Sequence, residues 1–145
     1  MEAFTVNNPD IAAVTPARDH PDNLRDESRL AGSADSISFP LSEAEISATL
    51  AAMSAKNTPV TTQGARTGIT GGSVPRGGHV LSLNRMNRIT GIRHDARSKR
   101  FHVIVEPGVL LSQLRSAVGS KQFDTTGWSA DSLNALKLFR TSGSW

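Results

Sequence analysis

Six of the chain's twelve glycines fall between Gly64 and Gly78. A segment with so many residues lacking a side chain cannot form the interior of a helix or a strand, because each glycine loses more backbone freedom on folding than any other residue. On one side stands Pro59-Val60-Thr61-Thr62-Gln63, where β-branched residues accumulate, and on the other His79-Val80-Leu81-Ser82-Leu83; both read as strands. The fold must therefore join two strands through a long polar loop. Gly64, Gly68, Gly71 and Gly72 would let a ligand approach the backbone, Thr67, Thr70 and Ser73 offer hydroxyl donors, and Arg66 and Arg76 add positive charge, with one of the two expected to reach the ligand. Peptide N–H groups converging in such a loop make an anion site. A bare turn between strands would have to account for four glycines, three hydroxyls and two arginines at once.

Around this loop the patterning alternates strands and helices. Ser36-Ile37-Ser38-Phe39 alternates polar and apolar residues and is closed by Pro40. Ser42 and Glu45 then have capping-box spacing, Ile46, Leu50 and Met53 recur on one helical face, and Asn57 stops the helix. With the strand at 59–63 this makes a strand–helix–strand unit, which ordinarily gives a parallel pair. Beyond the loop, Ile89–Arg93 and Phe101–Val105 read as a hairpin across Asp95-Ala96-Arg97-Ser98-Lys99, and Leu110, Leu114 and Val118 carry a helix to Gly119. Residues 1–35 hold Pro9, Pro16 and Pro21 without periodicity and are expected as an extended lead-in, with the folded domain at 36–121 and a divergent tail at 122–145 that contains a helix near Ser132–Phe139 and a flexible end.

Charge is uneven along the chain. Residues 1–35 carry seven acids against three arginines, whereas residues 57–121 carry ten basic residues against Asp95 and Glu106. Such a block suits an anionic partner, either a phosphate-bearing cofactor or nucleic acid. Single-strand nucleic-acid platforms stack bases on exposed aromatics, and here there is no tyrosine, with only Phe101 and Phe123 near the basic block. No nucleic-acid partner is therefore expected, and a non-catalytic anion-binding or nucleic-acid-binding module is the alternative reading. The chain has no cysteine, which excludes disulfides, thiolate metal sites and cysteine nucleophiles. No apolar run is long enough for a membrane span and Met1-Glu2-Ala3-Phe4 does not begin a secretory signal, so a cytoplasmic location is expected.

The familiar nucleotide motifs fail. A Walker A loop needs a Gly-Lys pair, yet no lysine occurs between Lys56 and Lys99. The dinucleotide fingerprint needs glycine two residues after Gly64, where Arg66 stands, and a helix to follow, whereas the chain leads into the strand at His79. His79, His94 and His102 lack metal-ligand spacing, and Ser28, Ser73 and Ser82 have no evident triad partners.

The runs Asp26-Glu27-Ser28-Arg29, Phe39-Pro40, Pro59 to Pro75, Leu81 to Ile89 and Val105-Glu106-Pro107-Gly108-Val109 together resemble the FAD-binding domain of the vanillyl-alcohol oxidase and p-cresol methylhydroxylase type. Within that group the resemblance is to the glycolate oxidase D subunit and D-lactate dehydrogenases, over roughly residues 26–118. It implies an α+β fold with a first subdomain and an incomplete second one. It further implies FAD contacts at Gln63, Gly64, Ala65, Arg66, Thr67, Gly68, Ile69, Thr70, Gly71, Gly72 and Ser73 around the pyrophosphate, and at Pro107, Gly108 and Val109 near the adenosine half.

Some relatives attach flavin through a histidine in the phosphate loop; none lies between Gly64 and Gly78, so non-covalent FAD is expected. The chemistry implied is removal of the C2 hydride and the hydroxyl proton from a small 2-hydroxy acid such as glycolate or D-lactate, with partner subunits where the relative is an oxidase complex. Relatives continue through a further FAD-binding segment and a substrate domain. No catalytic residue is assigned here, and the chain alone is expected to be an incomplete, inactive fragment.

Overall fold

The computed structural model describes residues 11–142. The chain divides into two compact units, Met1–Met86 and Asn87–Trp145.

The first unit contains β1 (Val14–Pro16), β2 (Ser36–Ser38), α1 (Glu43–Ala55), β3 (Val60–Gln63) and β4 (His79–Ser82). They form one sheet in the order β1-β2-β4-β3, with β4 parallel to both neighbours and β1 antiparallel at an edge. The strand–helix–strand run from β2 to β3 therefore does not give an adjacent pair, because β4 inserts between them. All four residues of β4 are buried, while β3 leaves Thr62 exposed. The strand with no solvent-tolerant position takes the centre of a parallel sheet. Pro16 ends the edge strand, where its missing N–H is best tolerated.

Residues 11–35 are not a loose arm. Ala17, in the 3-10 turn Ala17–Asp19, is fully buried and packs with Ile37 and Val80, against which Leu24, Ala34 and Phe39 close. A second turn, Pro21–Leu24, buries Asn23. Elements of three or four residues leave no periodic trace, so composition alone made this segment look unstructured. Residues 1–10 of the lead-in lie outside the described residues.

Helix α1 starts as its sequence predicts: the Ser42 hydroxyl accepts from the Glu45 N–H at 3.2 Å. The Glu45 carboxylate reaches back to the Leu41 N–H at 2.9 Å, one residue earlier than a capping box requires. Thr49 and Met53 are the buried residues, Ile46 is half-buried, and Leu50 is exposed. The inward face thus runs 46–49–53 and not 46–50–53. Asn57 ends the helix in a left-handed conformation (φ 51°), bonded to the Ser54 carbonyl.

The second unit holds the antiparallel hairpin β5 (Ile89–Asp95) and β6 (Arg100–Val105), then α2 (Leu111–Ser120) and α3 (Ala130–Thr141). Asp95 ties the hairpin turn by accepting from the Arg97 N–H and the Ser98 hydroxyl. The tail is integral to this unit: Ala135, Leu136 and Phe139 of α3 form its core with Ile92 and Trp128. Trp128 donates its indole N–H to the Ile89 carbonyl at 2.9 Å. Ser129 caps α3 by accepting from the Ser132 N–H. The end of the tail past Ser142 lies outside the described residues. Among the described residues no helix is long and apolar enough to cross a membrane.

Candidate functional site

The glycine segment leaves the carboxyl end of β3, where ligands of open parallel sheets characteristically lie, and returns to the start of β4. Three glycines are fixed by the chain's own geometry, Gly77 by its φ of +89° alone. Gly78 has φ +70°, and an added Cβ would sit 2.2 Å from the Pro59 carbonyl oxygen. Gly71 has φ +75°, and a Cβ there would press on Leu30 at 2.9 Å. Gly68 and Gly72 differ: nothing lies within 4 Å of a Cβ at Gly68, and only the Thr70 hydroxyl, at 4.0 Å, faces one at Gly72. Neither has a positive φ, so nothing inside the chain demands glycine at these two positions.

From Ala65 to Gly72 no peptide N–H donates a hydrogen bond to another of the described residues. The hydroxyls of Thr67 and Thr70 are equally uncommitted, and residues 67–70 and 72 are exposed, Ile69 to 79%. Backbone donors are obligate hydrogen-bonding groups. A run of free donors around side-chain-free positions is a receptacle for a multiply charged oxyanion. Arg66 holds a left-handed backbone (φ 55°), which costs a side-chain-bearing residue about 1–2 kcal/mol. It lines an open depression of about 210 Å³ with Asp22, Arg25, Asp26, Glu27 and Ala65. Three carboxylates make that depression hostile to a phosphate, so the anion-receptive face is the exposed stretch Thr67–Gly72.

The ends of the loop are anchored from the lead-in. Gln63 is fully buried; its amide donates to the Asn23 and Ser73 carbonyls, both at 2.7 Å, and accepts from the Asn23 side chain at 2.8 Å. Ser73 donates its hydroxyl to the Asp26 carboxylate at 3.0 Å. Its Oγ–H, expected from the sequence to serve a ligand, is thus committed within the protein, and its N–H is engaged by the same Asp26 carboxylate. Asp26 also accepts from the Ser28 hydroxyl and N–H. These donors, the Ser28 hydroxyl first, hold its carboxyl below the usual carboxylate range. Asn23 and Asp26 were not singled out from sequence as site residues, although the Asp-x-Ser spacing at 26–28 is an Asx-turn signal.

The return leg pairs with Ser33, which bonds the Pro75 carbonyl and the Gly77 N–H. His79 stands between two serines of β2, 2.8 Å from the Ser36 hydroxyl through Nδ1 and 2.8 Å from the Ser38 hydroxyl through Nε2. Burial pushes its pKa down to about 4, so it is neutral at pH 7. No cluster of metal ligands occurs among the described residues. Pro107, Gly108 and Val109 belong to the second unit. They follow β6 in a turn closed by the Val109 N–H on the Glu106 carbonyl, beside the Arg88–Glu106 ion pair at 2.8 Å.

A mixed α+β domain with a donor-rich glycine loop at the carboxyl end of a parallel strand is an anion-holding, nucleotide-cofactor type of domain. The chain belongs to the FAD binding domain family, which residues 34–131 match, and its fold is of the vanillyl-alcohol oxidase and p-cresol methylhydroxylase type. It is 41% identical over 71 residues to a D-lactate dehydrogenase of Anaerostipes hadrus, a match covering 48% of this chain and 14% of that protein. Its fold is similar to that of an alkyldihydroxyacetonephosphate synthase (TM-score 0.60, 17% identity, covering 81% of this chain and 25% of the other). A carbohydrate oxidase from Microdochium nivale is also similar (TM-score 0.57, 20% identity, covering 76% and 24%). The chain thus spans a quarter or less of the length of these relatives.

FAD is the cofactor of this family. The loop fits the diphosphate portion of that group: its free peptide donors are what phosphate oxygens require, and Gly68 and Gly72 keep the approach open.

Proposed function

We propose that residues Gly64–Ser73 hold the pyrophosphate of non-covalently bound FAD in an FAD-linked oxidoreductase that acts on a small 2-hydroxy acid such as D-lactate or glycolate. The observation that carries this reading is the run of uncommitted peptide N–H groups from Ala65 to Gly72 around two glycines that the chain's own packing does not require. Within it the donors of Thr67–Gly72 and the hydroxyls of Thr67 and Thr70 bind the phosphates. Arg66 contributes positive potential, and Gln63 and Ser73 close the loop. Pro107, Gly108 and Val109 are assigned to the adenosine half on the strength of the family resemblance. Bound FAD supplies a two-electron acceptor; the chain's own share is to bind and orient it. The substrate class rests on the D-lactate dehydrogenase similarity. Partner subunits and a 2-hydroxy-acid pocket belong to the proposal for the whole protein.

The aromatic residues near the basic segment favour this reading over a nucleic-acid platform. Phe101 and Phe123 each pack against Phe139, with ring centroids 5.2 and 6.2 Å apart, in place of presenting a stacking surface.

The test is a titration of the full chain with FAD and with riboflavin, followed by flavin fluorescence. FAD should bind at least about tenfold more tightly, since several charge-assisted hydrogen bonds to phosphate are at stake. Gly72→Val, which fills the open approach, should erase that preference while leaving the circular dichroism spectrum unchanged. Equal affinity for riboflavin and FAD, or an intact preference in Gly72→Val, would contradict the assignment.

A further inference from the structure

Asp26 presents a puzzle beside an anion-receptive loop. A carboxylate there repels a phosphate, and among the described residues it forms no ion pair. Its carboxylate is spent on serines: Ser28 on one oxygen, the Ser73 hydroxyl, 47 residues away, on the other. Gln63 meets the same residue by a different atom, donating to the Ser73 carbonyl while its remaining donor and its acceptor are both spent on Asn23. Ser73 is therefore held through its hydroxyl and its carbonyl together, with its N–H also turned to the Asp26 carboxylate.

We infer that Asp26 and Gln63 are positioning residues for the glycine segment: through Ser73 they fix the end of the loop to the Asn23–Ser28 stretch, so the loop keeps its ligand-receptive shape before any cofactor arrives. A fully satisfied buried amide specifies one local conformation, because any slip leaves polar groups unpaired. Ordering the loop in advance removes a cost that binding would otherwise carry. The consequence for affinity rests on the assignment of this loop to the FAD pyrophosphate; the clamp itself does not.

The experiment is a double-mutant cycle of Asp26→Ala and Ser73→Ala on the full chain, read first without flavin as the rate of trypsin cleavage after Arg66. Each single variant should be cut about tenfold faster, the effect of one lost hydrogen bond to a charged group, and the double variant no faster than Asp26→Ala alone. Gln63→Met, which keeps bulk and loses the amide, should be cut at least as fast; should it fail to fold, the Asp26–Ser73 cycle stands by itself. Unchanged cleavage in Asp26→Ala, or rates that multiply in the double variant, would overturn the clamp. Titration with FAD then separates the two ideas. Faster cleavage with a matching loss of FAD affinity supports both, whereas faster cleavage with unaltered FAD affinity keeps the clamp and removes FAD from this loop.

Discussion

At Gly78 an added Cβ would lie 2.2 Å from the Pro59 carbonyl oxygen, whereas at Gly72 it would meet nothing closer than the Thr70 hydroxyl at 4.0 Å. The first glycine serves the fold and the second leaves room for something outside it. His79 makes a similar point about buried polarity. Its neutral ring is held by Ser36 and Ser38, and burial lowers its pKa from 6.5 to about 4. The unfolded chain takes up this proton below about pH 6.5, and the folded one only near pH 4. The stability contributed by neutral His79 is therefore complete above pH 6.5, declines as pH falls towards 4, and levels off below that. The full loss is about 3 kcal/mol. Thermal melts at about pH 7 and about pH 4.5 should show a drop that is largely missing in His79→Asn; an equal drop in that variant would rule out His79 as its origin. The glycine pattern was legible in the sequence because glycine's chemistry is local. The directions of Gln63 and Ser73 were not, because their partners Asn23 and Asp26 lie 40 and 47 residues away.

At the scale of elements, hydropathy patterning located α1, the β5–β6 hairpin and α2 to within a residue or two. It misjudged the neighbours of β2 and β3, since strand order depends on which strand can bury both faces. Leu50 was placed inward because leucine is apolar, yet Thr49 takes the buried position. Thr49 does so with its hydroxyl lacking a partner among the described residues, and we have no physical account of that preference. Helix α3 was legible only as a short periodic stretch, and its weight in the second unit came from contacts with a hairpin some forty residues earlier. Phe139 is 3% exposed and meets Phe101 edge-on, so Phe139→Ala should destabilise the second unit by about 3–4 kcal/mol. Amide exchange is the measurement: protection across Ile89–Asp95 and Arg100–Val105 should fall while β2 and β4 keep theirs. Undiminished protection in the hairpin would show that α3 is not its core partner.

For the whole molecule, two units of unlike construction share one chain: a mixed sheet carrying the glycine loop, and a hairpin packed by its terminal helix. The family was legible because the loop, the Leu81–Ile89 run and Pro107–Val109 keep their order and spacing, which no single motif does. The substrate belongs to the proposed function alone, since the chain spans 14% of the D-lactate dehydrogenase it matches. The proposed function stands or falls with the assignment of the peptide donors between Ala65 and Gly72 to the FAD pyrophosphate. Its most direct test is to follow the backbone amide resonances of the labelled full chain during titration with FAD, ADP and riboflavin. Thr67, Gly68, Thr70 and Gly72 should shift with FAD and with ADP, which carries the same diphosphate together with the adenosine, and stay put with riboflavin. Shifts from FAD that bypass residues 65–73, or that riboflavin reproduces, would contradict it.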